Sequence, residues 1–175
     1  MKLNVLVIMF LCLMMIHLLS FQSSAIMEGL STEELTRASN VVMQGEVEDV
    51  EVQWSKDGST IVTRAMIVIT DVLRGSVAQR RIIVEYEGGE IGDIGLKVSD
   101  MVPLNRGEKI ILFLKSGRSR IDGNVYNIVG KSQGKYTIGD DGIATKSGFS
   151  IAAGEEVIDN NIPVDELIDK IRRVK

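Results

Sequence analysis

The chain opens with an apolar run from Leu3 to Leu19, broken only by Asn4 and His17, behind a single charge at Lys2. Ser23-Ser24-Ala25 follows and puts small residues at the −3 and −1 positions of a cleavage after Ala25. Charged start, apolar middle and small-x-small end make up the secretory-signal layout. Residues 1–25 are therefore expected to be a signal peptide, and 26–175 a single working domain. The run is close to the ~17-residue lower limit for spanning a bilayer, so retention as an N-terminal anchor is the alternative. Cys12 follows Leu11 rather than a small residue, which speaks against lipidation.

After this segment the periodicity changes. Ser31-Thr32-Glu33-Glu34 reads as a capping box flanked by Leu30 and Leu35, and predicts a short helix over Thr32–Ala38. Val41–Trp54 is β-branched with partial alternation, and Gly45 inside it marks a bulge. Asp57-Gly58 is a hairpin turn, and Ile61–Leu73 returns as a second long strand, apolar on both faces for part of its length. Arg81–Tyr86 and Lys109–Lys115 are further strands, the latter a continuous apolar run; Gly88–Gly95 reads as a glycine-rich loop, with a short strand over Leu96–Val98. Asp122-Gly123-Asn124 turns into Val125–Val129, and Lys135–Ile138 with Ile143–Thr145 makes a last hairpin.

Val164, Leu167, Ile168 and Ile171 recur at helical spacing near the C-terminus. Asp165 and Glu166 fall in the first turn, Arg172 and Arg173 in the last, as the helix dipole favours. A helix over 164–174 is expected to cover an open end of the sheet. No β–helix–β alternation occurs, so a parallel sheet is disfavoured. The expected class is mainly β with flanking helices: a small antiparallel β-barrel, whose closure removes exposed edges.

Composition narrows the chemistry. The only Cys (Cys12) and the only His (His17) lie in the leader, so the cleaved chain lacks both. Ser-His-Asp and Cys-His catalysis, and zinc sites built on those residues, are excluded for that form. Loss of Lys2 takes the net charge from −4 to −5. With acidic charge and few aromatics, binding to nucleic acid is not expected.

Three segments carry a likeness. Ala38-Ser39-Asn40-Val41-Val42-Met43-Gln44-Gly45-Glu46-Val47 resembles the A-D-x-V-x-x-G-x-V opening of the netrin-like domain, the fold of the tissue inhibitors of metalloproteinases. Asp71-Val72-Leu73-Arg74-Gly75 is similar to the V-x-K-G end of that family's second strand, and Arg106–Leu114 to its G-x-x-Y-L-(V/I)-F strand. The pattern also resembles that of uncharacterised secreted prokaryotic proteins. The likeness spans Leu30–Lys115 and implies a five-stranded barrel of the oligonucleotide/oligosaccharide-binding (OB) type. The animal inhibitors chelate the protease zinc through an N-terminal Cys. No Cys follows Cys12 here, so that mechanism does not transfer to any residue of this chain.

The remaining motifs are weak. Gly130-Lys131-Ser132 resembles the end of a phosphate loop, but Val125 stands where its first glycine belongs. Ser132-x-x-Lys135 and Lys146-Ser147-Gly148 match penicillin-recognising motifs on what reads as a surface hairpin. Asp140-Asp141-Gly142 reads as a turn rather than a calcium loop. Carboxylates at Glu46, Glu48, Asp49, Glu51, Glu85, Glu87 and Glu90 leave a glycosidase-like hydrolase as an alternative, which needs two of them about 5–9.5 Å apart across a cleft. Those on strands read as solvated faces. The expectation is a secreted, non-enzymatic, cofactor-free and metal-free module that binds a protein or cell-surface partner; an extracellular protease is one such partner implied by the resemblance. The expected contact residues are Trp54 beside the first hairpin and Glu90, Ile91 and Ile94 in the glycine-rich loop. Membrane contact is expected only if the leader is retained; oligomeric state is left open.

Overall fold

The computed structural model describes residues 29–148 and 158–175; the leader expected over 1–25 lies outside them. Over the described residues the chain is mainly β, with a large sheet and two helices. Helix α1 (Thr32–Ala38) leads into β1 (Val41–Trp54), β2 (Ile61–Arg74), β3 (Arg81–Glu87), β4 (Gly89–Ile91) and β5 (Ile94–Leu96). β6 (Lys109–Arg118), β7 (Asn124–Ile128), β8 (Lys135–Ile138), β9 (Ile143–Thr145), β10 (Ile162–Pro163) and helix α2 (Val164–Arg173) complete it.

Local signals account for the element starts. The capping box forms as expected: Glu34 N–H donates to Ser31 Oγ at 3.1 Å, and Ser31 N–H donates to Glu34 Oε2 at 2.8 Å. The bonds that the Glu34 carboxylate accepts from the Ser31 N–H and the Ser31 hydroxyl hold that carboxyl below its ordinary value. At the first hairpin, Asp57 accepts from the Ser55 and Ser59 hydroxyls and the Ser59 N–H, which pulls its carboxyl down to about 2.

Among the described residues eight strands form one sheet in the order β1-β2-β3-β7-β6-β8-β9-β10, and β1 also pairs with β6. β1 therefore has a neighbour on each side, and Gly45 lies opposite both Ile69 of β2 and Ile110 of β6. The β1–β2 register shifts between Gln44 and Gly45, the bulge that the glycine predicts. A Cβ on Gly45 would lie 2.6 Å from the Val68 carbonyl oxygen, so close backbone approach selects glycine there. β3 and β7 run parallel, with Val84 opposite Tyr126.

Two apolar cores use opposite faces of the same strands. Met43, Ile110, Leu112 and Leu114 pack with Ala65, Ile67, Val84 and Tyr86 in one core. Val42, Ile111 and Phe113 pack with Leu35 of α1 and Leu167 and Ile171 of α2 in the other. β6 is covered on both faces, which explains its continuous apolar run. Helix α2 therefore covers a face of the sheet, where an open end was expected: Val42, Ile111 and Phe113 point away from the first core and need a cover of their own.

Other expectations need correcting. The supposed loop Gly88–Gly95 contains most of a two-stranded hairpin, β4–β5, with Gly89 opposite Leu96 and Ile91 opposite Ile94. The short strand expected over Leu96–Val98 is β5, which lies earlier. Ser132 and Lys135 do not lie on a surface hairpin. Ser132 lies inside a 3₁₀ turn, Lys131–Gly134, and Lys135 follows it at the start of β8; both are buried, and Ser132 Oγ donates to the Asp100 carbonyl at 2.7 Å. Glu85, expected on a solvated face, is only 3% exposed.

Candidate functional site

The ends of β1 and β3, the start of β2 and the β4–β5 hairpin gather at one end of the sheet. There Trp54 lies opposite Ile61, and Val62 lies opposite Glu87. Gly89 seats the hairpin: its φ is +129°, and a Cβ there would lie 2.5 Å from Val52 Cγ1 and 2.8 Å from Thr63 Oγ1. Only glycine lets β4 lie this close to β1 and β2.

The four expected contact residues divide as follows. Trp54 is 43% exposed and Ile94 55% exposed. Ile91, opposite Ile94, is half-buried, and Glu90 is exposed. Glu90, Ile91 and Ile94 share one hairpin. Trp54 belongs to another, joined to it through the contact of Gly89 with Val52, two residues before Trp54. The large apolar side chains exposed among the described residues are Trp54, Met66 and Ile94; Trp54 and Met66 lie in the β1–β2 hairpin and Ile94 in the β4–β5 hairpin.

A cleft of about 420 Å³ opens beneath the β4–β5 hairpin, with Glu90 on its wall beside Tyr86, Leu96, Val98, Met101 and Pro103. Its other wall is the 97–103 segment. Tyr86 fastens that segment by accepting from Leu104 N–H at 3.0 Å. Lys135 fastens it again, donating from Nζ to the Pro103 carbonyl at 2.7 Å and to Glu108 at 2.8 and 3.0 Å. Burial alone would raise the Glu108 carboxyl, but bonds from Lys135 and the Asn105 N–H hold it below its ordinary value. A second cleft of about 370 Å³ adjoins the first, sharing Tyr86, Glu87, Val98 and Met101, and is lined by Arg118, Arg120 and Lys131.

Two of the carboxylates in this region, Glu85 and Glu87, are engaged. Glu85 accepts from Ser119 Oγ at 2.6 Å and Arg120 N–H at 2.7 Å, with Arg64 Nε 3.7 Å away. Glu87 pairs with Arg120 at 2.6 Å. Among the described residues no three His, Cys, Asp or Glu side chains gather as metal ligands would, and no helix is long and apolar enough to cross a membrane.

Away from this end, a partly buried polar cluster joins both helices to the sheet. Asp159 accepts from Thr32 Oγ1 at 2.8 Å and Lys170 Nζ at 2.5 Å, and its carbonyl accepts from the Tyr136 hydroxyl at 2.9 Å. Lys146, 6% exposed, holds its ammonium 4.4 Å from the Tyr136 ring centroid, without a hydrogen-bond acceptor among the described residues. Sequence reasoning named Lys146 only within a weak motif and passed over the cleft. The cleft depends on which residues Lys135 and Tyr86 reach across the fold, and no local pattern encodes that.

The chain matches no protein-family model, and no curated protein matches it.

Proposed function

We propose that this protein is an exported, non-enzymatic binding module on an OB-like barrel, and that it grips a protein or cell-surface partner with Trp54, Glu90, Ile91 and Ile94. The barrel reading is supported by the pairings β1–β2, β2–β3, β3–β7, β7–β6 and β6–β1, which return to the strand where they start. The observation that carries the binding reading is the pair of solvent-exposed apolar side chains, Trp54 and Ile94, on two hairpins that contribute Thr63, Glu90 and Leu96 to the wall of a cleft of about 420 Å³. Exposed aromatic and aliphatic anchors next to a concavity are the usual core of a protein-recognition surface. The net charge of −5 after loss of Lys2 disfavours nucleic acid as the partner.

The test is affinity capture from the native extracellular fraction with wild-type protein, Trp54→Ala and Ile94→Asp. A partner retained by the wild type and lost by both variants supports the reading; a partner held equally by all three removes this surface. The intact mass of the exported protein tests the leader. A chain beginning at Ile26 supports release, and a chain beginning at Met1 makes it an anchored envelope protein.

A further inference from the structure

The two clefts form one groove, and its inner wall is a strand edge. Among the described residues β3 meets β7 at a single position, Val84 opposite Tyr126. Beyond that point, among the described residues, β3 has no further ladder partner on this side, although Asn127 and Ile128 of β7 line the cleft beside it. The alternation of an antiparallel ladder fixes which backbone groups face it. Gly88 N–H donates to the Ile61 carbonyl and Ile69 N–H donates to the Arg80 carbonyl, so the even-numbered residues of β3 turn their polar groups toward β2. Glu85 and Glu87 turn theirs the other way. Asn127 Nδ2 caps the Glu85 carbonyl at 3.0 Å, in place of a backbone donor. The main chain of Glu87 thus faces the groove, opposite Val98 and Met101.

The groove is chemically two-ended. Beneath the hairpin it is walled by Tyr86, Leu96, Met101 and Pro103. At its other end, Arg120 is neutralised by Glu87 at 2.6 Å, and Lys131 lies 3.8 Å from Asp100. Arg118 has no carboxylate within ion-pair distance among the described residues, so this end keeps an uncompensated positive charge.

We infer that this groove takes an extended peptide segment that hydrogen-bonds the free main chain of Glu87 at the edge of β3, seats an apolar side chain beneath the β4–β5 hairpin and sets a carboxylate against Arg118. An exposed edge supplies main-chain affinity and the adjoining pocket supplies selectivity, the general logic of strand addition. The inference rests on the binding-module reading and adds the chemistry of the partner.

The probes are two N-acetylated tetrapeptides, Leu-Val-Leu-Glu with a free carboxyl terminus and Leu-Val-Leu-Gln amidated. They are titrated into the 26–175 protein while backbone amide shifts are followed. The acidic peptide is expected to move the amides of Glu85–Gly88 and Met101, and to bind roughly tenfold more tightly than the neutral one, as a charge-assisted bond to Arg118 provides. Arg118→Ala, a change at an exposed residue, is expected to erase the difference between the two. Equal affinities, unmoved β3 amides, or discrimination that survives Arg118→Ala each overturn the inference. Capture lost in the Trp54 and Ile94 variants, with neither peptide binding, overturns the groove and leaves the binding reading standing. Peptide binding with capture unaffected by those variants supports the groove and removes the Trp54–Ile94 surface.

Discussion

Lys146 carries its ammonium 4.4 Å from the ring centroid of Tyr136, buried where α1, α2 and β8 meet. Burial pushes the amine down to about 8, against the attraction of Asp159. The folded state therefore releases this proton before the unfolded chain does, at its ordinary 10.5. Between pH 8 and pH 10 the unfolded chain binds more protons, so stability rises with pH. Above pH 10 the Tyr136 phenol, raised mainly by burial, works in the opposite direction. Urea denaturation at pH 7, 8, 9 and 10 is expected to show the rise, amounting over the whole window to roughly 2–3 kcal/mol. Lys146→Met is expected to be more stable than wild type at pH 7 and to lack the rise.

The Lys135–Glu108 pair fastens one wall of the cleft, and Lys135 is 3% exposed. Glu108→Gln leaves a buried ammonium without its counter-charge, which costs about 3 kcal/mol. The double variant Lys135→Met with Glu108→Leu is expected to recover most of that loss. Because the folded Glu108 carboxyl lies below its unfolded value of 4.5, its contribution is complete above that pH. It disappears as pH falls through the folded value. Denaturation curves of the three proteins at pH 7 and pH 4 check both statements.

Gly89 and Gly92 lie on the same hairpin with different surroundings. Alanine at Gly89 would meet Val52 and Thr63 side chains within 2.8 Å, whereas alanine at Gly92 would meet nothing within 4 Å. Both have positive φ, so both substitutions strain the backbone, but only Gly89→Ala pushes β4 away from the sheet. Gly89→Ala is expected to cost about 1–3 kcal/mol more than Gly92→Ala. It is also expected to lose captured partner, whereas Gly92→Ala keeps it. Thermal denaturation and the capture assay measure the two effects.

The legible part of the fold was local. The Ser31–Glu34 box, the Asp57-Gly58 turn, the Gly45 bulge and the 164–174 periodicity each carry their geometry in a few consecutive residues, and each appears where expected. The second core was not legible, because the apolar run Ile110–Leu114 reads the same whether its second face meets another strand or a pair of helices. The β4–β5 hairpin was hidden by Gly88, Gly89, Gly92 and Gly95, which are turn formers by composition. Gly89 is in a strand because of Val52 and Thr63, which lie far from it in sequence. At the candidate site, Trp54 and Ile94 could be proposed from type and position alone. The cleft needs Tyr86 bonded to Leu104 and Lys135 bonded to Pro103, contacts that exist only after folding.

The binding claim is tested most directly by mapping the captured partner onto the 26–175 protein by two-dimensional NMR. Trp54 is the only tryptophan in the chain, so its indole N–H is a single unambiguous reporter. The account predicts that partner addition shifts the Trp54 indole and the Glu90–Ile94 amides, with α1 and α2 unmoved. Shifts confined to the helices, with the Trp54 indole unchanged, would contradict it.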